Sequence, residues 1–482
     1  MIFNSVTYIL LLIIVVPLYW AFPYRIRLIL VFFSSLLFYA FWRVDFLWIM
    51  LLSVFTDYIV ALNLPFRSYA QKKMLLFVSL GINLGLLFYF KYLLFFANNA
   101  IRFANIFGTD FDNIPLNIIL PLGISFYTFQ TISYTVDVYR GFIKPEKDFI
   151  LYACYVTFFP QLIAGPILRA SEVIHQFAKR IPFSWENVII GLRRIIYGLF
   201  LKVVLADNIS PLVDDGFLMP VESISAIDVW TLAFLFGFQI YFDFSAYSHI
   251  ALGSSRIMGI YFPENFHFPY MASSPKDFWR RWHISLSSWI RDYLYLPLAG
   301  IKVNDKSIGG LGNITLNKRK NRALFATWAI MGLWHGANWT FVLWGIFHAF
   351  VITAYRILTP LTLKLPYFIR NIGGIAVTIP LMMLAWIPFR SSSIDISFAM
   401  WLKIVRPNEY WGLGMKENIY LVTTLITLGF VMTYFLKYTL APYIKRKGAL
   451  AIITAETLMF SILIPLVIVF LRPINQFIYF QF

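Results

Sequence analysis

The chain has little cysteine and little charge. Its 482 residues include one cysteine, Cys154, and only 13% of them are charged. One cysteine excludes an internal disulfide and a cluster of thiolate metal ligands. The sequence also lacks a phosphate-binding P-loop, a nucleophile elbow, an HExxH zinc helix and a Ser- or Pro-rich linker. These absences argue against a soluble metal- or nucleotide-dependent enzyme and predict a single domain over residues 1–482, with no metal site.

The chain is instead rich in apolar and aromatic residues. Hydrophobic residues make up 60% of it, aromatic residues 19%, and the mean hydropathy is +0.72. A soluble domain is roughly 45–50% apolar and could not bury such a surface. The composition predicts an all-α polytopic membrane protein. The net charge of +17 needs no nucleic acid partner, because basic residues gather in cytoplasmic loops and face membrane lipid.

Apolar runs recur along the whole chain. A helix needs about 20 such residues to cross the hydrocarbon core, and the runs predict about 11–13 transmembrane or re-entrant helices. They lie near residues 6–22, 28–42, 44–62, 74–98, 116–138, 188–206, 229–250, 323–335, 339–358, 372–389, 419–436 and 449–471.

Loop charges predict the orientation of these spans. Basic residues near 25–27, 67–73, 140–147 and 445–447 fall on one side when the spans alternate, and this side is predicted to be cytoplasmic. The acidic stretch 207–228 holds no Lys or Arg and falls on the other side.

Residues 276–322 form a basic segment that is too polar to span the membrane. Ten basic residues there outnumber three acidic ones, and we expect the segment to be cytoplasmic. Ser274 and Pro275 predict a helix start. Aromatic and apolar residues then recur every three or four positions, which predicts one amphipathic helix. Its polar side carries Arg280 and Arg281, and with Arg291 they are candidates for attracting an anionic donor.

Two of the six histidines are candidates for catalysis. His335 lies between two glycines in GLWHGANW, deep in an apolar run, where ionisable groups usually face a cavity. His283 lies on the amphipathic segment. A neutral imidazole can accept a proton or orient a hydroxyl. The alternatives are a hydrogen-bonded structural role for His335 and a solvated surface position for His283, and His348 is expected to serve helix packing or line a tunnel.

Further polar and aromatic residues are candidates for binding substrate or lining a tunnel. Asp243 and Tyr247 interrupt an apolar run in YFDFSAYSHIALG, where the carboxylate needs a partner. The other candidates flank the two histidines, and they are Trp282, Ser285, Trp334 and Asn338. Hydrogen bonding between helices is the alternative role for the polar ones.

Two segments resemble the signature pair of the membrane-bound O-acyltransferase (MBOAT) family. They are FWRRWHISLSSWIRDYLYLPL from Phe278 and GLWHGANWTFVLWGIFHA from Gly332. FYAFWRVDFLW, FFPQLIAGPILR and the segment around Asp243 resemble the family's bacterial alginate O-acetylase branch, in the same order. The resemblance implies helices around a central funnel or tunnel, in the bacterial inner (cytoplasmic) membrane. It also implies that His335 is the catalytic histidine and that His283 is the second active-site residue.

The resemblance further implies an O-acyltransferase. The donor would be a cytoplasmic thioester, acetyl-CoA or another acyl thioester, with no permanently bound cofactor. The acetyl group would reach an exported, alginate-like polysaccharide through a periplasmic acetyltransferase partner. In this scheme His335 is the base, while His283, with Asn338 or a backbone amide, orients the acceptor and stabilises the oxyanion. Alternatives are peptidoglycan O-acetylation, D-alanylation of teichoic acid and, in another class, a transporter or flippase.

Overall fold

The computed structural model describes residues 3, 5–163, 165–301, 318–471 and 477. Within these ranges the regular secondary structure is helical throughout, as predicted. Seven helices there are long and apolar enough to cross a membrane: Val44–Phe66, Tyr69–Asn105, Ala226–Ile257, Trp339–Thr362, Tyr367–Arg390, Glu417–Arg446 and Ala449–Phe470. The chain is therefore a multi-pass membrane protein.

The helices are numbered here in chain order. They are α1 (Val6–Ala21), α2 (Tyr24–Ala40), α3 (Val44–Phe66), α4 (Tyr69–Asn105), α5 (Ile124–Arg140), α6 (Phe149–Thr157), α7 (Ala170–Phe177), α8 (Trp185–Leu199), α9 (Asp207–Leu218), α10 (Ala226–Ile257), α11 (Pro275–Arg281), α12 (Ile284–Trp289), α13 (Lys318–His335), α14 (Trp339–Thr362), α15 (Tyr367–Arg390), α16 (Ile394–Val405), α17 (Glu417–Arg446) and α18 (Ala449–Phe470). π-helical turns interrupt α4 at Phe88–Tyr92 and join α8 to α9 at Phe200–Ala206.

Every predicted span falls on a helix, but five of them fall on shorter helices than the seven above. One boundary is clearly wrong. The span predicted over 116–138 becomes helical only at Ile124. Pro115 and Pro121 precede it, and Gly123 has a left-handed φ of 70°. Proline removes a backbone donor that a helix needs, which explains the irregular start.

Small residues bring α8 and α10 into close backbone contact. A Cβ added to Gly253 would lie 2.5 Å from the carbonyl oxygen of Gly191, and one added to Gly198 would lie 2.8 Å from that of Ala246. Small residues permit such approach between membrane helices. The pairing is antiparallel, and it sets the polar centre of α10 against the π turn that follows α8.

A buried carboxylate ties α3, α4 and α5 together. Asp57 accepts hydrogen bonds from Ser79, from Asn83 Nδ2 at 2.7 Å and from Thr135 Oγ1 at 2.9 Å. Buried polar groups must be paired in this way, since water cannot reach them in the hydrocarbon core. The network fixes the position of α4, which carries Lys91.

Loops predicted to share one side of the membrane do lie together. Arg25, in the first turn of α2, forms an ion pair with Asp148 of the α5–α6 loop. Tyr58, near the end of α3, donates a hydrogen bond to the carbonyl oxygen of Lys147 in the same loop. At the acidic end, Asp214 pairs with Arg390 at 2.6 Å. Two of the four basic loops, those near residues 25–27 and 140–147, therefore lie together as predicted.

The predicted amphipathic helix is not continuous. It starts as expected, because Ser274 caps α11 and accepts a hydrogen bond from the backbone of Asp277. It then breaks between α11 and α12, where Trp282 is extended and His283 has a left-handed φ of 41°.

This break is buried in the protein. Trp282 is 2% exposed and His283 is 0% exposed. The prediction of a single helix is therefore wrong, and burial excludes the alternative of a solvated surface position for His283. The segment inserts its centre into the interior. Lys302 and Lys306 of the basic segment lie outside the described residues.

Candidate active site

His335 is the last residue of α13, about 25 Å along the helix axis from Lys318. Glycines allow α13 to pack tightly on α14. A Cβ on Gly332 would lie 2.1 Å from the carbonyl oxygen of Phe341, and one on Gly345 would lie 2.1 Å from that of Trp328. The glycines around His335 therefore serve close packing of the helix pair that carries it.

His335 is enclosed by aromatic rings. Only 4% of it is exposed, and its ring centroid lies 5.0 Å from that of Trp334, 4.9 Å from Trp344 and 5.2 Å from Phe389. All three contacts are edge-to-face, an arrangement that aromatic pairs favour. The ring centroid of Trp334 in turn lies 6.4 Å from that of His283. The two candidate catalytic residues thus belong to one buried site.

The hydrogen bonding of His283 fixes its tautomer. Its Nδ1 lies 3.1 Å from Oδ1 of Asn265, and a carbonyl oxygen only accepts. Nδ1 therefore carries the proton, and Nε2 presents a lone pair. Among the residues that the structure describes, Nε2 has no hydrogen-bond partner. The left-handed backbone of a non-glycine residue here is the kind of strain that functional sites retain.

Asn265 is a site residue that the sequence did not reveal. Besides His283, its Oδ1 accepts from Ser285 Oγ at 2.9 Å, and its Nδ2 donates to Ser248 Oγ at 3.2 Å. The neighbouring Glu264 pairs with Arg194 on α8 and anchors this stretch. An asparagine in an irregular, proline-containing stretch carries no local signal, so only the folded arrangement identifies it.

Trp334 separates the two histidines. The centroid of its ring lies 6.4 Å from that of His283. The ring also stacks on Phe129, with the two centroids 5.3 Å apart. Within the described part of the chain its Nε1–H has no hydrogen-bond partner. Trp282 belongs to the adjoining aromatic wall, with its ring 4.9 Å from Trp386. Trp334 therefore lies between the two histidines, and Trp282 lies in the aromatic wall beside them.

Ser285 organises the site through its hydroxyl. Its Oγ accepts a hydrogen bond from the backbone N–H of Ile167 at 3.0 Å while it donates to Asn265. The FFPQLIAGPILR segment is thereby joined to the strained turn at His283. This arrangement gives Ser285 a supporting role beside the histidine.

Asp243 has the buried partner that its position requires. Its Oδ1 lies 2.8 Å from Nζ of Lys202, which also lies 2.8 Å from Asp207. The Lys202 ammonium lies 5.8 Å from the ring centroid of Tyr247. Phe244, next to Asp243, contacts the ring of His283 at 4.5 Å. We call Lys202, Asp207 and Asp243 the buried ion triad. The ring of Phe244 connects the triad to the site.

Asn338 serves as a helix cap. It is exposed, and it caps α14, with its Oδ1 accepting from the backbone N–H of Thr340 at 3.0 Å. This contact gives Asn338 a structural role, the alternative stated for the polar candidates.

The three candidate entrance arginines differ in their surroundings. Arg280 is exposed, whereas Arg281 pairs with Asp277 at 3.0 Å and Arg291 pairs with Asp292 at 2.6 Å. Among the described residues, no three His, Cys, Asp or Glu side chains are grouped to hold a metal ion.

Comparison with known proteins shows the family of the chain. The membrane-bound O-acyltransferase family matches residues 146–393, which include both histidines. The chain is 36% identical to the probable alginate O-acetylase AlgI of Azotobacter vinelandii over 407 residues, 83% of this chain and 77% of the relative. It is 36% identical to a peptidoglycan O-acetyltransferase of Helicobacter pylori over 389 residues, 75% of this chain and 70% of the relative. It is 30% identical to a teichoic acid D-alanyltransferase of Bacillus subtilis over 251 residues, 50% of this chain and 60% of the relative. The chain therefore belongs to the membrane-bound O-acyltransferase family and is an acyltransferase.

Proposed function

We propose that the protein transfers acetyl groups from cytoplasmic acetyl-CoA for O-acetylation of an exported polysaccharide, from the bacterial inner membrane and through a periplasmic partner. The observation that carries the proposal is the buried pair of His335 and His283 on either side of Trp334. Two of the relatives described above are named for acetyl transfer to alginate and to peptidoglycan, which supports an acetyl group and a polysaccharide acceptor.

In the proposed reaction His335 is the general base. Its imidazole takes the proton of the acceptor hydroxyl as that oxygen attacks the thioester carbonyl carbon. A carbon–oxygen bond forms, the carbon–sulfur bond breaks, and the proton passes to the leaving thiolate. A neutral base suits a site closed off by Trp344 and Phe389, since no charge has to be buried before the reaction starts.

His283 orients the acceptor in this scheme. Because Nδ1 donates to Asn265, Nε2 is an acceptor and can hold a substrate hydroxyl. The same tautomer cannot donate from Nε2, so His283 is not the group that stabilises an oxyanion. The buried Nε1–H of Trp334 supplies a donor beside both histidines and takes that part instead.

The acceptor can be identified in cells. Deleting the gene should remove O-acetyl groups from one extracellular or cell-wall polysaccharide, and the wild-type gene should restore them. NMR of the purified polymers measures acetyl and D-alanyl esters in the same spectra. If only D-alanyl esters are lost, the transferred group is D-alanyl and not acetyl. If acetyl esters are lost from peptidoglycan alone, the acceptor is peptidoglycan and not an exported polysaccharide. Unchanged esters on every polymer would reject the proposed function and favour transport.

The orientation of His283 can be tested through Asn265. Asn265→Ala removes the acceptor that holds the Nδ1 proton, so we expect transfer to fall about 10- to 100-fold, as when a supporting residue of a histidine ligand is lost. The measurement is the initial rate with radiolabelled acetyl-CoA in purified protein. Asn63→Ala is the matched control, because among the described residues the Asn63 side chain bonds only the backbone of its own helix. A folded Asn265→Ala protein with the wild-type rate would show that the tautomer of His283 is irrelevant.

A further inference from the structure

A lysine on α4 contacts the end of the helix that carries His335. Nζ of Lys91 donates hydrogen bonds to the backbone carbonyl oxygens of Trp334 at 2.7 Å and His335 at 2.9 Å. It lies in the π turn Phe88–Tyr92, within a membrane-spanning helix. In the described part of the chain its ammonium pairs with no carboxylate, and a lysine at such depth is costly.

Lys91 supplies hydrogen-bond donors to backbone carbonyl groups at the C-terminal end of α13. The last carbonyl groups of a helix have no partner within the helix, and they form the negative end of its dipole. Water satisfies such groups at a protein surface but is absent from the hydrocarbon core. Lys91 supplies two donors and a positive charge at the two residues, Trp334 and His335, that the proposed reaction uses. A π turn rotates side chains relative to the α-helical register and often marks a functional position.

We infer that Lys91 is a positioning residue, which holds the last turn of α13 so that the imidazole of His335 and the indole of Trp334 face the reacting groups. This inference rests on the proposed function. Lys91 acts through the backbone of these residues, so it should affect the chemical step more than donor binding. Positions of reacting groups matter steeply, because a displacement of about 1 Å can cost about 100-fold in rate.

The test is a kinetic comparison of Lys91 variants in the purified full chain with acetyl-CoA. Lys91→Met keeps the apolar stem and removes the donors and the charge. We expect kcat to fall about 100-fold, with the KM for acetyl-CoA unchanged. Lys91→Arg restores two donors and the charge and should recover most of kcat. Lys73→Met, on the exposed part of the same helix, is the matched control and should match wild type.

Several outcomes would overturn the inference. A wild-type kcat in folded Lys91→Met would do so, and so would a raised KM with an unchanged kcat, which would assign Lys91 to donor binding. Failure of Lys91→Arg to recover kcat would also reject it. If Lys91→Met does not fold, Lys91→Gln is tested instead. Its amide NH2 ends one bond nearer the backbone than Nζ and carries no charge, so it should also lower kcat with an unchanged KM, and a wild-type kcat would reject the inference. His335→Ala in the same assay separates the two ideas, because an active His335→Ala protein rejects the proposed function, whereas an inactive one beside a fully active Lys91→Met rejects only the role of Lys91.

Discussion

Replacing His335 with alanine is expected to lower acetyl transfer by about two to four orders of magnitude, the usual contribution of a positioned general base. Among the described residues, the rings that contact His335 include those of Trp334, Trp344 and Phe389. None of these three side chains accepts a proton at neutral pH. The loss should appear in kcat, since a general base acts in the transition state and not in the binding of the donor.

The experiment must distinguish a loss of catalysis from a loss of folding in the His335 variants. His335→Ala leaves a cavity among large rings, so its thermal unfolding in detergent is measured with its rate. His335→Gln fills most of that volume without a base and should be equally inactive. His175→Ala is the matched control, because His175 is exposed on α7 and bonds only the backbone of Ser171. A folded His335→Gln protein with more than about a tenth of the wild-type rate would contradict general-base catalysis by this residue.

The sequence predicted the helices and the principal histidines for definite physical reasons. Long apolar runs require membrane helices, and a histidine between glycines in such a run is conspicuous because its burial is costly. His335 and Trp334 were therefore found from local sequence. The same motif also suggests Asn338 as a site residue. In the structure Asn338 caps the start of a helix, a function that the motif does not indicate.

The break at His283 could not be predicted from periodicity. Trp279, Trp282 and Leu286 continue the helical spacing across it, so the pattern alone favours one helix. The left-handed turn is instead supported by Asn265, 18 positions earlier in the chain, which bonds both His283 and Ser285. Tertiary hydrogen bonds thus override a local preference that the sequence shows clearly.

Lys91 and Lys202 show a different limit. Lys91 is the single charge of its predicted span, and Lys202 shares its span with Arg193 and Arg194. A charge in such a run marks importance but names no partner. The partners of Lys91 are backbone carbonyls more than 240 positions away, and one partner of Lys202 lies on a helix that is distant in sequence. No side-chain pattern encodes a carbonyl partner, so the role of Lys91 emerges only from the packing of α4 against α13.

Lys202→Met is expected to destabilise the protein by about 3–5 kcal/mol, the usual effect of removing one partner from a buried ion pair. Lys202 is 2% exposed and contacts Asp207 and Asp243, so methionine leaves two carboxylates without the cation that both contact. Thermal unfolding of the detergent-solubilised protein measures the effect. Lys179→Met, at an exposed position, is the control and should unfold at the wild-type temperature.

A second substitution tests whether charge is the cause. Asp243→Asn removes one of the two carboxylates, so Lys202→Met with Asp243→Asn should be more stable than Lys202→Met alone. Asp243→Asn by itself leaves Lys202 paired with Asp207 and should cost less than Lys202→Met. If Lys202→Met unfolded at the wild-type temperature, or if Asp243→Asn made it less stable still, the buried ion triad would not be held by charge. Phe244, on α10 next to Asp243, contacts the ring of His283. A folded Lys202→Met protein should therefore also lose acetyl transfer. In the double variant, the unfolding temperature and the transfer rate should both rise toward their wild-type values.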